Sequence, residues 1–110
     1  MIARNAIYLD YAATTPVDPR VVQAMTPYFS DVFGNPSSVH QFGQEADAAV
    51  ETSRVKMANV LGCEPTEVIF TGCGSESDNL ALRGMALSRR ESVGADHLLI
   101  SPVEHDAVLK

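Results

Sequence analysis

Gly72-Cys73-Gly74-Ser75 sets two glycines and a hydroxyl directly ahead of a segment patterned as a helix. Free amides at a helix start, together with the helix dipole, favour an anion such as phosphate. Gly74 lets a backbone approach closely, and the Ser75 hydroxyl adds a donor. A second segment, Ser101-Pro102-Val103-Glu104-His105, carries an imidazole. Both follow short apolar runs that read as strands, Glu67–Thr71 and His97–Ser101. In open α/β sheets ligands bind beyond the carboxyl ends of the strands, and parallel strands end on the same rim. An anion cradle on one strand end and a flat ring on the other suit a phosphorylated aromatic cofactor.

The same residues admit plainer readings. A glycine-rich turn before a helix is more often a tight connection alone, and a lone histidine after a strand is more often a satisfied loop residue. Gly72-x-Gly74 supplies the first two glycines of a dinucleotide fingerprint, but Ser77 stands where the third belongs. No Gly-Lys-Ser/Thr follows, so the turn is not a Walker loop. Glu104 lies further from Gly72 than a ribose-binding acid usually does. His97, Glu104 and His105 lack a metal-ligand spacing. Cys63 and Cys73 have no Cys-x-x-Cys spacing and no adjacent cation to activate a thiolate. Cys63 reads as a helix-end residue and Cys73 as a small buried filler. From spacing alone, an α/β domain with an anion site and a non-catalytic or nucleotide-binding module both remain open.

The elements that must position these residues are readable from periodicity and punctuation. Asp18-Pro19 is a helix start, with Asp as cap and Pro at the first helical position. That helix would bury Val21, Val22, Met25 and Phe29, and Pro27 disturbs its last turn. Phe33 to His40, rich in Gly, Asn, Pro and Ser, reads as a structured turn. From about Gly43 to Leu61 the apolar residues Ala46, Val50, Met57 and Leu61 recur at helical steps, and Gly62 is a C-terminal stop. A further helix is expected from about Ser75 to Arg89, with Ser75 and Asp78 as a variant capping box. Ser92 to Asp96 would be a loop. Strand, helix and strand in this order predict a right-handed βαβ unit. Two short parallel strands do not make a sheet, since parallel sheets are covered on both faces. The sequence therefore reads as cut short at Lys110, just where Asp106 onward begins to look helical.

Bulk properties narrow the class. The 110 residues are 45% hydrophobic and 20% charged, ordinary for one small globular domain. A net charge of −6 argues against nucleic acid as partner, since such affinity comes from clustered Lys and Arg. Arg89-Arg90, the one adjacent basic pair, reads as a solvated helix end. The N-terminal stretch lacks a signal-peptide apolar region, and no apolar run approaches the ~20 residues needed to span a bilayer. A soluble protein in a reducing cytoplasm, away from membranes, is the expectation.

Four segments together resemble one family. Ile7-Tyr-Leu-Asp-Tyr-Ala-Ala-Thr-Thr-Pro-Val-Asp-Pro19 is similar to the opening of cysteine desulfurases of the nitrogen-fixation and iron–sulfur-assembly type. Phe33-Gly-Asn-Pro-Ser-Ser-Val-His40 matches their second motif. Phe70-Thr-Gly-Cys-Gly-Ser-Glu-Ser-Asp-Asn-Leu-Ala-Leu82 resembles their phosphate-turn segment, and Ser101-Pro-Val-Glu-His-Asp-Ala-Val-Leu109 their histidine segment. The departures are Gly72, where the family often has Ser, and Ser75 in place of a common Thr.

The resemblance implies the start of a fold-type I enzyme dependent on pyridoxal 5′-phosphate. Its fold class would be α/β: an N-terminal segment plus the first βαβ unit of the large domain. Residues 1–42 would be the arm, helix and loop at the small-domain and active-site border, and residues 43–110 the start of the cofactor domain. The family is homodimeric, takes sulfur from L-cysteine as a persulfide, leaves L-alanine, and passes the sulfur to an acceptor or scaffold protein. By carry-over Gly74 and Ser75 would hold the cofactor phosphate and His105 would stack on its ring. The loops Ala12–Thr14 and Asn35–His40 would border the active site or the dimer contact. The family's cofactor-bearing lysine stands in a Ser-x-His-Lys setting, which neither Lys56 nor Lys110 matches, and neither cysteine matches the persulfide motif. The expectation is a desulfurase portion with no catalytic residue of its own. The alternatives are a non-catalytic interaction protein derived from the family, or an anion- or nucleotide-binding α/β module.

Overall fold

A computed structural model of the chain describes residues 6–109. Residues 1–5, part of the stretch read as free of an apolar leader, and Lys110 lie outside the described residues. The chain divides into two compact units, one running through Pro65 and the other beginning at Thr66.

In the first unit, helix α1 spans Pro19–Met25. Asp18 caps it as expected: its carboxylate accepts from the Arg20 amide at 2.8 Å and from the Arg20 guanidinium at 3.0 and 2.8 Å. The α-helix stops at Met25 and tightens into a 3-10 turn over Thr26–Phe29. Pro27 is the cause, because it has no amide to donate and its ring crowds the preceding turn. The expected buried face of α1 is not formed. Val21, Val22 and Met25 are each about half exposed, and Phe29 is 77% exposed. One helix of 7 residues has too little opposing surface to cover such a stripe.

Helix α2 spans Gln41–Leu61, beginning two residues ahead of the expected start because His40 caps it. The His40 ring nitrogen Nδ1 accepts from the Gly43 amide at 3.3 Å. The preceding loop folds back on this helix start. Ser37 donates its amide to the Asn35 side chain and Ser38 its amide to the Asn35 carbonyl, both at 2.9 Å. The Phe33 and Phe42 rings stack at 5.8 Å. A Cβ on Gly34 would overlap the Phe42 carbonyl, and one on Gly43 would overlap the Ser38 carbonyl. Both glycines are therefore demanded by close backbone approach. Gly62 ends α2 in the left-handed conformation, φ 71°, as its position predicts. Of the expected apolar stripe only Ala46 is buried; Val50 is half-buried, while Met57 and Leu61 are exposed. Ala58 joins Ala46 as the buried apolar pair of the described residues.

The second unit is built on α3, Gly74–Val93. It starts one residue before Ser75 and extends into the first two residues of the expected loop, Ser92 and Val93, before ending at Gly94 with φ 70°. The short helix α4 spans Asp106–Leu109 and packs on α3. The helix of the expected βαβ unit is thus present, but among the described residues neither flanking segment forms a β-ladder. Pro65–Glu67 is a 3-10 turn that takes in the first residue of the expected first strand. Strands exist only as members of a ladder, and a parallel pair needs cover on both faces. Leu99, at 97% exposed, and Ile69, at 67%, show that this cover is absent here.

Candidate anion site at the start of helix α3

Extended backbone at Cys73 (φ −165°, ψ 169°) turns the chain sharply into α3, and the Cys73 side chain makes no capping bond. The expected Ser75–Asp78 capping box is not formed. Ser75 is the second residue of the helix rather than its cap, and Asp78 does not reach back. Glu76 does so instead, its carboxylate accepting from the Gly72 amide at 2.7 Å. Thr71 and Ser77 lock the other side of the turn, with their hydroxyls 2.6 Å apart and the Thr71 hydroxyl donating to the Cys73 carbonyl at 3.1 Å. Cys73 is exposed, not a buried filler, whereas Cys63 follows the end of α2 as expected.

The donors left at this turn are the ones an anion needs. The first backbone bond into the turn comes from the Ser77 amide, which donates to Cys73 at 3.1 Å. The amides of Gly74 and Ser75 and the Ser75 hydroxyl have no protein partner among the described residues. A Cβ at Gly74 would meet nothing within 4 Å, so the space over the turn is open. Two backbone amides and a hydroxyl at a helix N-terminus are the donor set for a phosphate group.

His105 is held by its own helix. Its Nδ1 accepts from the Ala107 amide at 3.1 Å, and its carbonyl accepts from Val108 and Leu109 at 2.8 and 3.2 Å. With Nδ1 used as an acceptor, the neutral ring carries its proton on Nε2. The two segments meet through Asn79, whose Nδ2 donates to the Ser75 carbonyl at 2.9 Å and to the Ala107 carbonyl at 3.3 Å. Sequence reasoning missed Asn79, because nothing in its spacing signals a contact across 28 residues. A cleft of about 360 Å³ beside these segments is bordered by Asp78, Leu82, Ser101 and Glu104. A larger one, about 530 Å³, lies by Met85, Arg90 and His97 at the other end of α3. A helix of 20 residues is about 30 Å long, so that cleft is remote from the turn. The loop Ala12–Thr14 belongs to the first unit, closed by Ala13 donating to the Asp10 carbonyl at 3.1 Å and by the Tyr8 hydroxyl on the Thr14 carbonyl at 3.2 Å. Asn35–His40 forms the structured turn before α2 described above. Among the described residues no three His, Cys, Asp or Glu side chains gather as metal ligands, and no helix is long and apolar enough to cross a membrane.

The pattern of the class-V aminotransferase family matches residues 7–110. The chain belongs to that family. Class-V aminotransferases depend on pyridoxal phosphate. Within the family the chain is similar to cysteine desulfurases. It is 46% identical over 107 residues to cysteine desulfurase IscS of Dictyoglomus turgidum, covering 97% of this chain and 27% of that protein. It is 48% identical over 105 residues to a cysteine desulfurase of Trichormus azollae, covering 96% of this chain and 26% of the relative. A solved NifS-like protein superposes with a TM-score of 0.83 at 40% identity, over 94% of this chain and 28% of the other. The chain thus spans about a quarter of the length of these class-V relatives and shares the fold of their N-terminal portion. The open donors at Gly74 and Ser75 fit the phosphate of the family's cofactor.

Proposed function

We propose that this sequence forms the N-terminal part of a cytoplasmic, homodimeric cysteine desulfurase that takes sulfur from L-cysteine and delivers it to an acceptor or scaffold protein for iron–sulfur assembly. On this reading residues 1–42 belong to the small-domain and active-site border and residues 43–110 open the cofactor domain. The segments Glu67–Thr71 and His97–Ser101 become strands when neighbouring strands and covering helices are supplied. The observation that carries the reading is the open donor set at Gly74 and Ser75, tied through Asn79 to the His105 segment in a chain that matches desulfurases along its length.

Pyridoxal phosphate, when bound, draws electrons from the bonds around the substrate's α-carbon. Gly74 and Ser75 hold its phosphate through their amides and the Ser75 hydroxyl. Glu76 and Thr71 keep the turn in the shape that presents those amides. His105 would stack on the cofactor ring, with its Nδ1 engaged by the Ala107 amide. Lys56, inside α2, and the cysteines at 63 and 73 match neither the cofactor-bearing lysine nor the sulfur-carrying cysteine of the family. The chain therefore supplies binding and orientation, and covalent catalysis needs groups it does not carry.

Two measurements test this. The chain alone, with added pyridoxal phosphate and L-cysteine, should release no sulfide or alanine above a protein-free control. Co-expressed with the complementary C-terminal part of a related cysteine desulfurase, it should give a complex with bound-cofactor absorbance and restored sulfide release. Failure to join that part, or turnover by the chain alone, would overturn the proposal.

A further inference from the structure

We infer that Asn79 is a positioning residue that holds the His105 ring in register with the anion turn, a role that rests on the cofactor reading above. The Asn79 side-chain nitrogen has two hydrogens and faces two carbonyl oxygens, Ser75 at 2.9 Å and Ala107 at 3.3 Å. Carbonyls only accept, so the amide nitrogen, not its oxygen, must be the atom turned toward them. Ser75 lies in the first turn of α3, whose outer amides form the anion cradle. Ala107 donates its own amide to His105 Nδ1 at 3.1 Å. A path therefore runs from the cradle through one side chain to the imidazole: Ser75 carbonyl, Asn79 side-chain amide, the backbone of Ala107 through its carbonyl and its N–H, and the His105 ring. The bonds that shape the cradle itself, Glu76 to Gly72 and Thr71 to Ser77, do not pass through Asn79. Asn79 thus governs where the ring stands and leaves the phosphate donors in place.

Aspartate at this position keeps the shape of asparagine and loses both donors, setting a carboxylate against two carbonyls. The test is made on the isotope-labelled full chain, with Asn79→Asp and Asn79→Ala beside it and far-UV circular dichroism as the folding control. The wild-type ring should be read, at a pH where it is neutral, as the single tautomer with its proton on Nε2. Cross-peaks should join the Asn79 side-chain amide to Ala107. Both variants should lose the cross-peaks and show averaged His105 nitrogen shifts at unchanged helicity. Titration with inorganic phosphate should move the Gly74 and Ser75 amides with the same midpoint in all three proteins, while the ring-induced shift of His105 by pyridoxal phosphate disappears in the variants. A wild-type chain without the cross-peaks or the tautomer preference overturns the inference, as does an Asn79→Asp ring identical to wild type. A phosphate midpoint that moves with the substitutions also overturns it, since Asn79 would then be shaping the cradle. If the wild-type amides ignore phosphate, the cofactor reading fails, while the tautomer change still establishes the positioning role.

Discussion

Ser75 sits at the second position of α3 with its hydroxyl free among the described residues, so its removal leaves the helix start intact. In a complete desulfurase carrying this sequence, Ser75→Ala should weaken pyridoxal phosphate by one charge-assisted hydrogen bond, about 1.5–3 kcal/mol. Equilibrium titration of the cofactor reads this directly, and an unchanged affinity would remove Ser75 from the phosphate site. His105→Ala should change cofactor absorbance and turnover with a smaller effect on affinity, because a stacked ring tunes the cofactor rather than anchoring its phosphate. Asp18 gives a test that needs no cofactor. The side-chain bond to Arg20, and then the bond from the Arg20 amide, hold its carboxyl below the ordinary aspartate range. The sign follows from linkage: a depressed carboxyl stabilises the fold above the unfolded value, about 3.9, and this is lost as pH falls through the lower folded value. The Arg20 amide should therefore titrate below the ordinary aspartate midpoint, and Asp18→Asn, which keeps a capping oxygen, should abolish that titration. A midpoint at or above the ordinary value would contradict the pairing.

The helices differ in what ends them and in what their glycines do. Gly43 of α2 lies under the Ser38 carbonyl, and an added Cβ would overlap backbone atoms that have nowhere to move. Gly43→Ala should cost about 1–3 kcal/mol, the range of overpacked sites. Gly62 has nothing within 4 Å of such a Cβ, but its φ of 71° is strained for any L residue. Gly62→Ala should therefore cost about 1–2 kcal/mol through conformation alone. The two are separable by location in hydrogen exchange: Gly43→Ala should open the amides of Ser37 and Ser38 in the turn before α2, while Gly62→Ala should fray only the last turn of that helix. Equal protection of Ser37 and Ser38 in both variants would refute the close-approach argument. Helix α3 shows how an element forms without its sheet. Its Gly94 stop, the Glu76 bond back to Gly72 and the local bonds of a 20-residue helix are all within its own stretch of chain, whereas the segments on either side need ladder partners from elsewhere.

Among the described residues large apolar side chains stand exposed in both units, from Phe29 and Phe33 in the first to Ile69, Leu99 and Val103 in the second. Exposed apolar area of this extent favours association. Sedimentation of the chain alone should show self-association, dye binding should report accessible apolar surface, and thermal unfolding should be broad. The complementary C-terminal part of a desulfurase should suppress the dye binding, sharpen the unfolding and replace open-ended association by a defined dimer. A dispersed monomer with a sharp unfolding transition would contradict this.

Much of this was legible in the chain because it rests on neighbours in sequence. Asp18-Pro19, Gly62 and the open turn at Gly74 and Ser75 are set by bonds reaching no more than a few residues, so residue type and spacing decide them. The family resemblance, carried by four ordered motifs, was legible for the same reason. Tertiary structure decided what depends on distant partners. Among the described residues apolar side-chain burial narrowed to Ala46 and Ala58, because an apolar stripe is covered only where another surface stands opposite it. The Glu67–Thr71 and His97–Ser101 segments stayed outside any ladder, because a strand's hydrogen bonds belong to a neighbour and not to itself. Glu76 displaced Ser75 and Asp78 in closing the turn, since the register of α3 was set by the extended backbone at Cys73. The bond from Asn79 to the Ala107 carbonyl joins residues 28 apart, a distance at which only the folded path of the chain brings donor and acceptor together.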